Sequence, residues 1–262
     1  MRTIPFTFFI FQLSSFWSYD ISAQPTGRAI VDQNISWASY SSNLKLTPRT
    51  TLFLDGHFRF ASSTNPSAVI EPMQVLLRTH LEFTVKGKLT FSPFGYAYIH
   101  NYQYGKQPVT IPNHERRVYQ QLAWSHNWGK TGLGHRLRTE QRFIEEHDAD
   151  LNVLGFTNRQ LRIRYRFMAT RPIGKDKIVP GTFFTQTFYE GFVSRGKKVS
   201  FEDIDQNRFF LGLGYQPVKG LNLSMGWFYQ MLVKANGSKQ ENNAGLMVMA
   251  THNIDLTAKQ KE

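Results

Sequence analysis

Cysteine is missing from all 262 residues, which excludes disulfide scaffolds, thiol chemistry and metal sites built on thiolates. Acid is scarce: 19 Asp+Glu face 31 Lys+Arg, a formal charge of +12. Charged residues make up 19% of the chain, below the roughly 25% of soluble domains. Long apolar runs are missing too. None approaches the roughly 20 residues of a transmembrane helix, and none keeps a 3.6-residue period long enough for an ordinary helix. What is plentiful is aromatic: 22 Phe, 11 Tyr and 5 Trp, 15% of the chain. A basic excess of this size suggests a nucleic-acid partner until its distribution is known.

The start of the chain reads as a targeting segment. Arg2 precedes an apolar stretch from Ile4 to Leu13, and Ile21-Ser22-Ala23 supplies a small-residue cleavage site before Gln24. This is the layout of a secretory signal peptide over residues 1–23, too short in its apolar part to span a bilayer. Its removal takes away Arg2 and Asp20 together, so the exported remainder keeps +12. No cysteine follows the cleavage point, which argues against a lipid-anchored lipoprotein.

From Gln33 onward the residues alternate with period two, the mark of half-buried strands. Eleven strands are expected: Gln33 to Leu46, Thr50 to Phe60, Met73 to Val85, Leu89 to Tyr102, Arg116 to Trp128, Gly132 to Ile144, Arg159 to Ala169, Thr182 to Phe192, Asp205 to Tyr215, Leu221 to Met231 and Gly245 to Leu256. Such lengths exceed the usual 5 to 6 residues and suit a tilted bilayer crossing. Tight turns (47–49, 86–88, 129–131, 216–220) alternate with long polar loops (61–72, 105–115, 145–158, 193–204, 232–244). Short turns at one rim and long loops at the other describe an up-and-down outer-membrane β-barrel. Such barrels close with an even number of strands when both ends lie in the periplasm. The reading therefore allows 10 to 12 strands and favours 12, with a short strand in residues 24–32, a barrel over 33–256 and a tail at 257–262.

Face composition decides which side is which. Leu133, His135, Leu137, Thr139, Gln141 and Phe143 alternate with Arg136, Arg138, Glu140 and Arg142, and Leu161, Ile163, Tyr165 and Phe167 with Arg162, Arg164 and Arg166. An arginine at the bilayer midplane costs roughly 2 to 4 kcal/mol, so the arginine faces look into the lumen. Parity places ten arginines there (59, 78, 117, 136, 138, 142, 162, 164, 166 and 208) with Asp55, Glu82, Glu140 and Glu190. Leu89 to Tyr102 and Gly245 to Leu256 show no clear facing.

A family resemblance rests on these same segments. Gln33 and Trp37, Arg117-Val118-Tyr119-Gln120-Gln121-Leu122, the run His135 to Phe143, Leu161 to Arg166, Asp205-Gln206-Asn207-Arg208 and Leu211 to Tyr215 resemble the uncharacterised outer-membrane β-barrel family called domain of unknown function 2490. The resemblance implies a barrel in the outer membrane of Bacteroidetes-type Gram-negative bacteria. It brings no catalytic residue with it.

Three readings of the lumen follow. In the favoured one, Arg117, Arg136, Arg138, Arg142, Arg162, Arg164, Arg166 and Arg208 pair with Glu82, Glu140 and Glu190 in a network that fills the interior, as side chains do in small barrels. The barrel would then be a non-enzymatic structural or accessory envelope component, contacting outer-membrane lipid and, through its long loops, other envelope proteins. In the second, uncompensated arginines attract small anions into a narrow channel or transporter. The third is a lipid hydrolase, with Ser125-His126-Asn127 or His100-Asn101 as its only candidates. No cofactor is implied. No histidine spacing suggests zinc, and Glu145 to Asp150 reads as a solvated acidic loop rather than a calcium site. An inward arginine ladder is also out of a duplex's reach, which removes the nucleic-acid reading.

Overall fold

The computed structural model describes residues 28–62, 70–103, 111–196, 204–233 and 237–257; the expected signal peptide lies outside them. The fold is all-β. Eleven strands close into one barrel: β1 (Ala29–Thr47), β2 (Thr50–Ser62), β3 (Ile70–Lys86), β4 (Leu89–Asn101), β5 (Asn113–Trp128), β6 (Thr131–His147), β7 (Val153–Pro172), β8 (Thr182–Arg195), β9 (Ile204–Val218), β10 (Leu221–Val233) and β11 (Lys239–Asp255). Each strand pairs antiparallel with its chain neighbour. The seam differs: β1 and β11 run parallel, from Ala29↔Lys239 to Lys45↔Asp255.

The favoured count of twelve is thus corrected to eleven among the described residues. Residues Ala29 to Asp32, expected within a separate short strand, are the opening of β1 itself. An even count had followed from placing both ends at one rim. In an odd up-and-down barrel the first and last strands point the same way, so closure needs one parallel pair. Ala29 accordingly stands at one rim and Asp255 at the other.

The strands run 13 to 20 residues, and all but β4, which stops at Asn101, outrun the expected lengths. The expected 145–158 loop shrinks to 148–152 because β6 and β7 stay paired as far as His147↔Val153. Four two-residue turns, Pro48-Arg49, Gly87-Lys88, Gly129-Lys130 and Lys219-Gly220, lie at one rim together with a longer connection, 173–181. Gly87 and Gly129 take φ of 55° and 57°, a left-handed conformation that only glycine enters without cost. β2, β4, β6, β8 and β10 end at the other rim, where the described connection 148–152 joins β6 to β7.

The core of this molecule is its lumen. Ile35, Trp37, Ala61, Met73, Phe188, Phe210, Phe228 and Met247 form a buried apolar cluster along β8 to β11, β1 and the loop-side ends of β2 and β3. Opposite it, β5, β6 and β7 supply buried Arg117, Arg138, Glu140, Arg162 and Arg164. The outer wall is the reverse of a soluble surface: Leu77 is 55% exposed, Leu213 59% and Met225 56%, and Phe58, Leu81, Phe183, Leu211, Trp227 and Val248 share that surface.

The two strands without clear facing have physical explanations. In β4 an irregularity between Ser92 and Gly95 switches parity, so Ser92 faces inward before it and Ala97 and Ile99 after it, all three buried. In β11 the inward face carries Met247 and Met249 and the outward one Leu246 and Val248, so polarity does not tell them apart.

Candidate functional site: an arginine-lined lumen

Register sets the arginines against one another. Across β6 and β7, Arg136 lies opposite Arg166, Arg138 opposite Arg164, Glu140 opposite Arg162 and Arg142 opposite Gln160. On one side β5 adds Arg117 beside Arg142 and Gln121 beside Arg138; on the other, Glu190 of β8 lies between Arg166 and Arg208. Like charges directly opposite repel, so the carboxylates decide whether the array holds.

Three acids anchor it. Glu115 accepts two bidentate pairs, from Arg117 (Nε 2.6 Å, Nη2 3.0 Å) and from Arg142 (Nε 2.5 Å, Nη2 2.9 Å). Glu140 accepts Arg162 Nη2 at 2.6 Å, with Arg164 Nη1 at 3.3 Å, Arg138 Nη1 at 3.6 Å and Arg117 Nη1 at 3.8 Å. Glu190 accepts Arg136 Nη2 at 2.6 Å, and Arg164 and Arg208 each stand 3.5 Å from it. Paired forks of this kind give direction as well as charge balance. A second group sits across the lumen, where Asp55 binds Arg78, His57 Nε2 at 2.9 Å and Ser41 Oγ at 2.6 Å. Aromatic rings support the cations: Arg59 lies 3.9 Å from the Trp37 ring centroid and Arg138 4.1 Å from that of Tyr119.

The network therefore joins Arg117, Arg136, Arg138, Glu140, Arg142, Arg162, Arg164, Glu190 and Arg208. Two members of the expected set stand apart. Glu82 makes no ion pair among the described residues, and Arg166 makes neither an ion pair nor a hydrogen bond among them; both line a cavity. Sequence reading missed Glu115, which it placed in a loop. β5 starts at Asn113, so Glu115 precedes Arg117 by two residues on the same inward face. Extending the alternation by one period would have found it.

Below the network, toward the short-turn rim, lies a cavity of about 570 Å³. Nine basic side chains line it (Arg59, Arg78, Lys88, Arg117, Arg136, Arg138, Arg164, Arg166 and Arg208) against three carboxylates, Asp55, Glu82 and Glu190. Trp37, Met168, Phe184, Phe188, Met247 and Met249 form its apolar wall, and Ile178 of the 173–181 connection reaches it. Glu115, Glu140, Arg142 and Arg162 lie on the loop side of Arg117, Arg138 and Arg164 along β5, β6 and β7.

The other candidate residues are separated by the fold. Ser125 lines the cavity, whereas His126 stacks on His135 at 5.2 Å on the outer wall, so the two form no nucleophile–base pair. His100 pairs with His114, Nδ1 to Nδ1 3.1 Å, also outside. The Asp148 carboxylate is occupied by the backbone N–H groups of Asp150 and Asn152 and the Asn152 side chain. Those bonds from Asn152 hold it below the usual carboxylate range. No group of three or more His, Asp or Glu among the described residues is arranged to hold a metal ion.

The family model described as protein of unknown function (DUF2490) matches residues 34–242, from β1 into β11. The chain belongs to the DUF2490 family. That span covers every arginine and acid of the network, so the site of this DUF2490 member lies within its family domain. No curated protein and no solved structure matches the chain.

Proposed function

We propose that this DUF2490 barrel is an integral outer-membrane protein, non-enzymatic and closed along its axis, serving as a structural or accessory component of the cell envelope. The observation that carries the reading is the inverted distribution of polarity: apolar side chains cover the outside while ion-paired arginines and carboxylates are buried inside. A protein in water gains by the opposite arrangement, and contiguous apolar surface on this scale marks contact with lipid or with another protein. A closed sheet also leaves no unpaired edge for the bilayer to penalise. The basic excess is consistent with this reading, because most of the arginines face the lumen, where a nucleic-acid backbone could not reach them.

Closure rests on the Glu115 and Glu140 pairs, which span neighbouring strands within the lumen alongside the apolar cluster. The purified barrel in planar lipid bilayers should give no stepwise current. Sustained current with anion selectivity would overturn closure and favour the channel reading, which the basic lining of the cavity otherwise supports.

A further inference from the structure

We propose that the cavity on the short-turn side is a binding site for an amphipathic organic anion, a phosphate or carboxylate group carried on an apolar body. The inference rests on the closed-barrel reading, since a blind cavity holds a ligand whereas a pore passes it.

Charge is the first argument. Within the cavity, Arg136 and Arg138 face Arg166 and Arg164 across the β6–β7 register, a block of four guanidinium groups. Glu190 and Glu140 pair with three of the four, Arg136, Arg138 and Arg164, and leave Arg166 without a carboxylate among the described residues. Arg164 and Arg138 are 4% and 1% exposed, and Arg164 Nε and Arg138 Nη1 stand 3.5 Å from Glu190 and 3.6 Å from Glu140, ion pairs that make no hydrogen bond. Arg59 and Arg166 form no hydrogen bond or ion pair among the described residues and rest against the rings of Trp37 and Phe188. Arginine cannot shed its proton to escape this crowding. A tetrahedral or planar anion accepting several N–H donors would satisfy those groups and offset the repulsion.

Apolar side chains beside and across from this block define the rest of the ligand: Met168 follows Arg166 by two residues on β7, Phe184 stands on β8, and Met247 and Met249 stand on β11. Met168, Phe184, Met247 and Met249 face the same space, and unbranched thioether side chains adapt to irregular apolar shapes. About 570 Å³ is within the range of small-molecule sites. Arg166 would hold the charged group, and Met249 would contact the tail.

Isothermal titration of the full chain, folded in zwitterionic micelles, tests this with hexyl phosphate, inorganic phosphate and hexyltrimethylammonium as probes. Hexyl phosphate should bind at least tenfold more tightly than inorganic phosphate, and the cation should not bind. Arg166→Gln should weaken both phosphates tenfold or more while the barrel keeps or gains thermal stability, because it relieves like-charge crowding. Met249→Gln should weaken hexyl phosphate alone, leaving inorganic phosphate unchanged. No heat with hexyl phosphate up to millimolar concentration, or unchanged affinity in Arg166→Gln, overturns the site. Equal affinity for the two phosphates overturns its apolar half. Conductance on the same preparation separates the two claims: a silent barrel that binds nothing leaves closure intact, whereas a conducting one removes closure whatever it binds.

Discussion

At the scale of single residues, stability follows from how completely each buried charge is paired. Removing one partner of a buried ion pair leaves the other uncompensated, at a cost of about 3 to 5 kcal/mol. Glu140 holds Arg162 at 2.6 Å and Arg164 at 3.3 Å, so Glu140→Gln is expected to destabilise the folded barrel by about that amount in urea unfolding from micelles. Among the described residues Glu82 makes no such pair, and Glu82→Gln should stay within about 1 kcal/mol of the parent in the same assay. Most of the arginines were legible because alternation alone assigns an inward face. Their individual partners were not: Glu82 and Glu115 have the same parity relation to nearby arginines, and only the register, Glu115↔Ile144 beside Arg117↔Arg142, shows which of the two becomes a clamp. Arg59 and Arg166 could not be recognised from sequence as lacking carboxylate partners, since that depends on side chains from strands far apart in the chain.

At the scale of strands, glycines decide where large inward side chains can lie. A Cβ added at Gly95 of β4 would come 2.3 Å from the Tyr119 ring, and Tyr119 in turn bonds His80 Nδ1 at 2.9 Å and stacks under Arg138. Gly95→Val should therefore displace Tyr119 and cost about 1 to 3 kcal/mol, the range of an overpacked core, read as a lower midpoint in thermal unfolding followed by circular dichroism. Gly56→Ala provides the contrast, because its added Cβ would meet Leu77 at an ordinary 3.7 Å and should leave the midpoint in place. All eleven strands were legible from alternation and turn residues. Their ends were not, because polar strand ends such as Asn113 to Glu115 and Lys239 to Asn243 look like loop in composition while continuing the hydrogen-bonded ladder. The facing of β4 was hidden by its irregularity, and that of β11 by methionine on the inner face.

At the scale of the whole molecule, the eleven strands lie within the expected 10 to 12, and only the favoured value of twelve failed. It rested on a rule about where the chain's two ends lie, whereas the ladder itself closes with eleven strands through the parallel β1–β11 seam. No local pattern predicts a parallel seam, because it joins the two most distant parts of the fold. The central claim is that lipid surrounds this barrel while its polar face is enclosed. The chain has no native cysteine, so single nitroxide labels can be placed without background on three successive residues of β10, through Leu223→Cys, Ser224→Cys and Met225→Cys. In barrels reconstituted into lipid, labels at 223 and 225 should collide with dissolved oxygen and not with an aqueous nickel chelate, while the label at 224 should be shielded from oxygen. Equal collision of all three labels with the aqueous chelate would contradict the account and return the molecule to water.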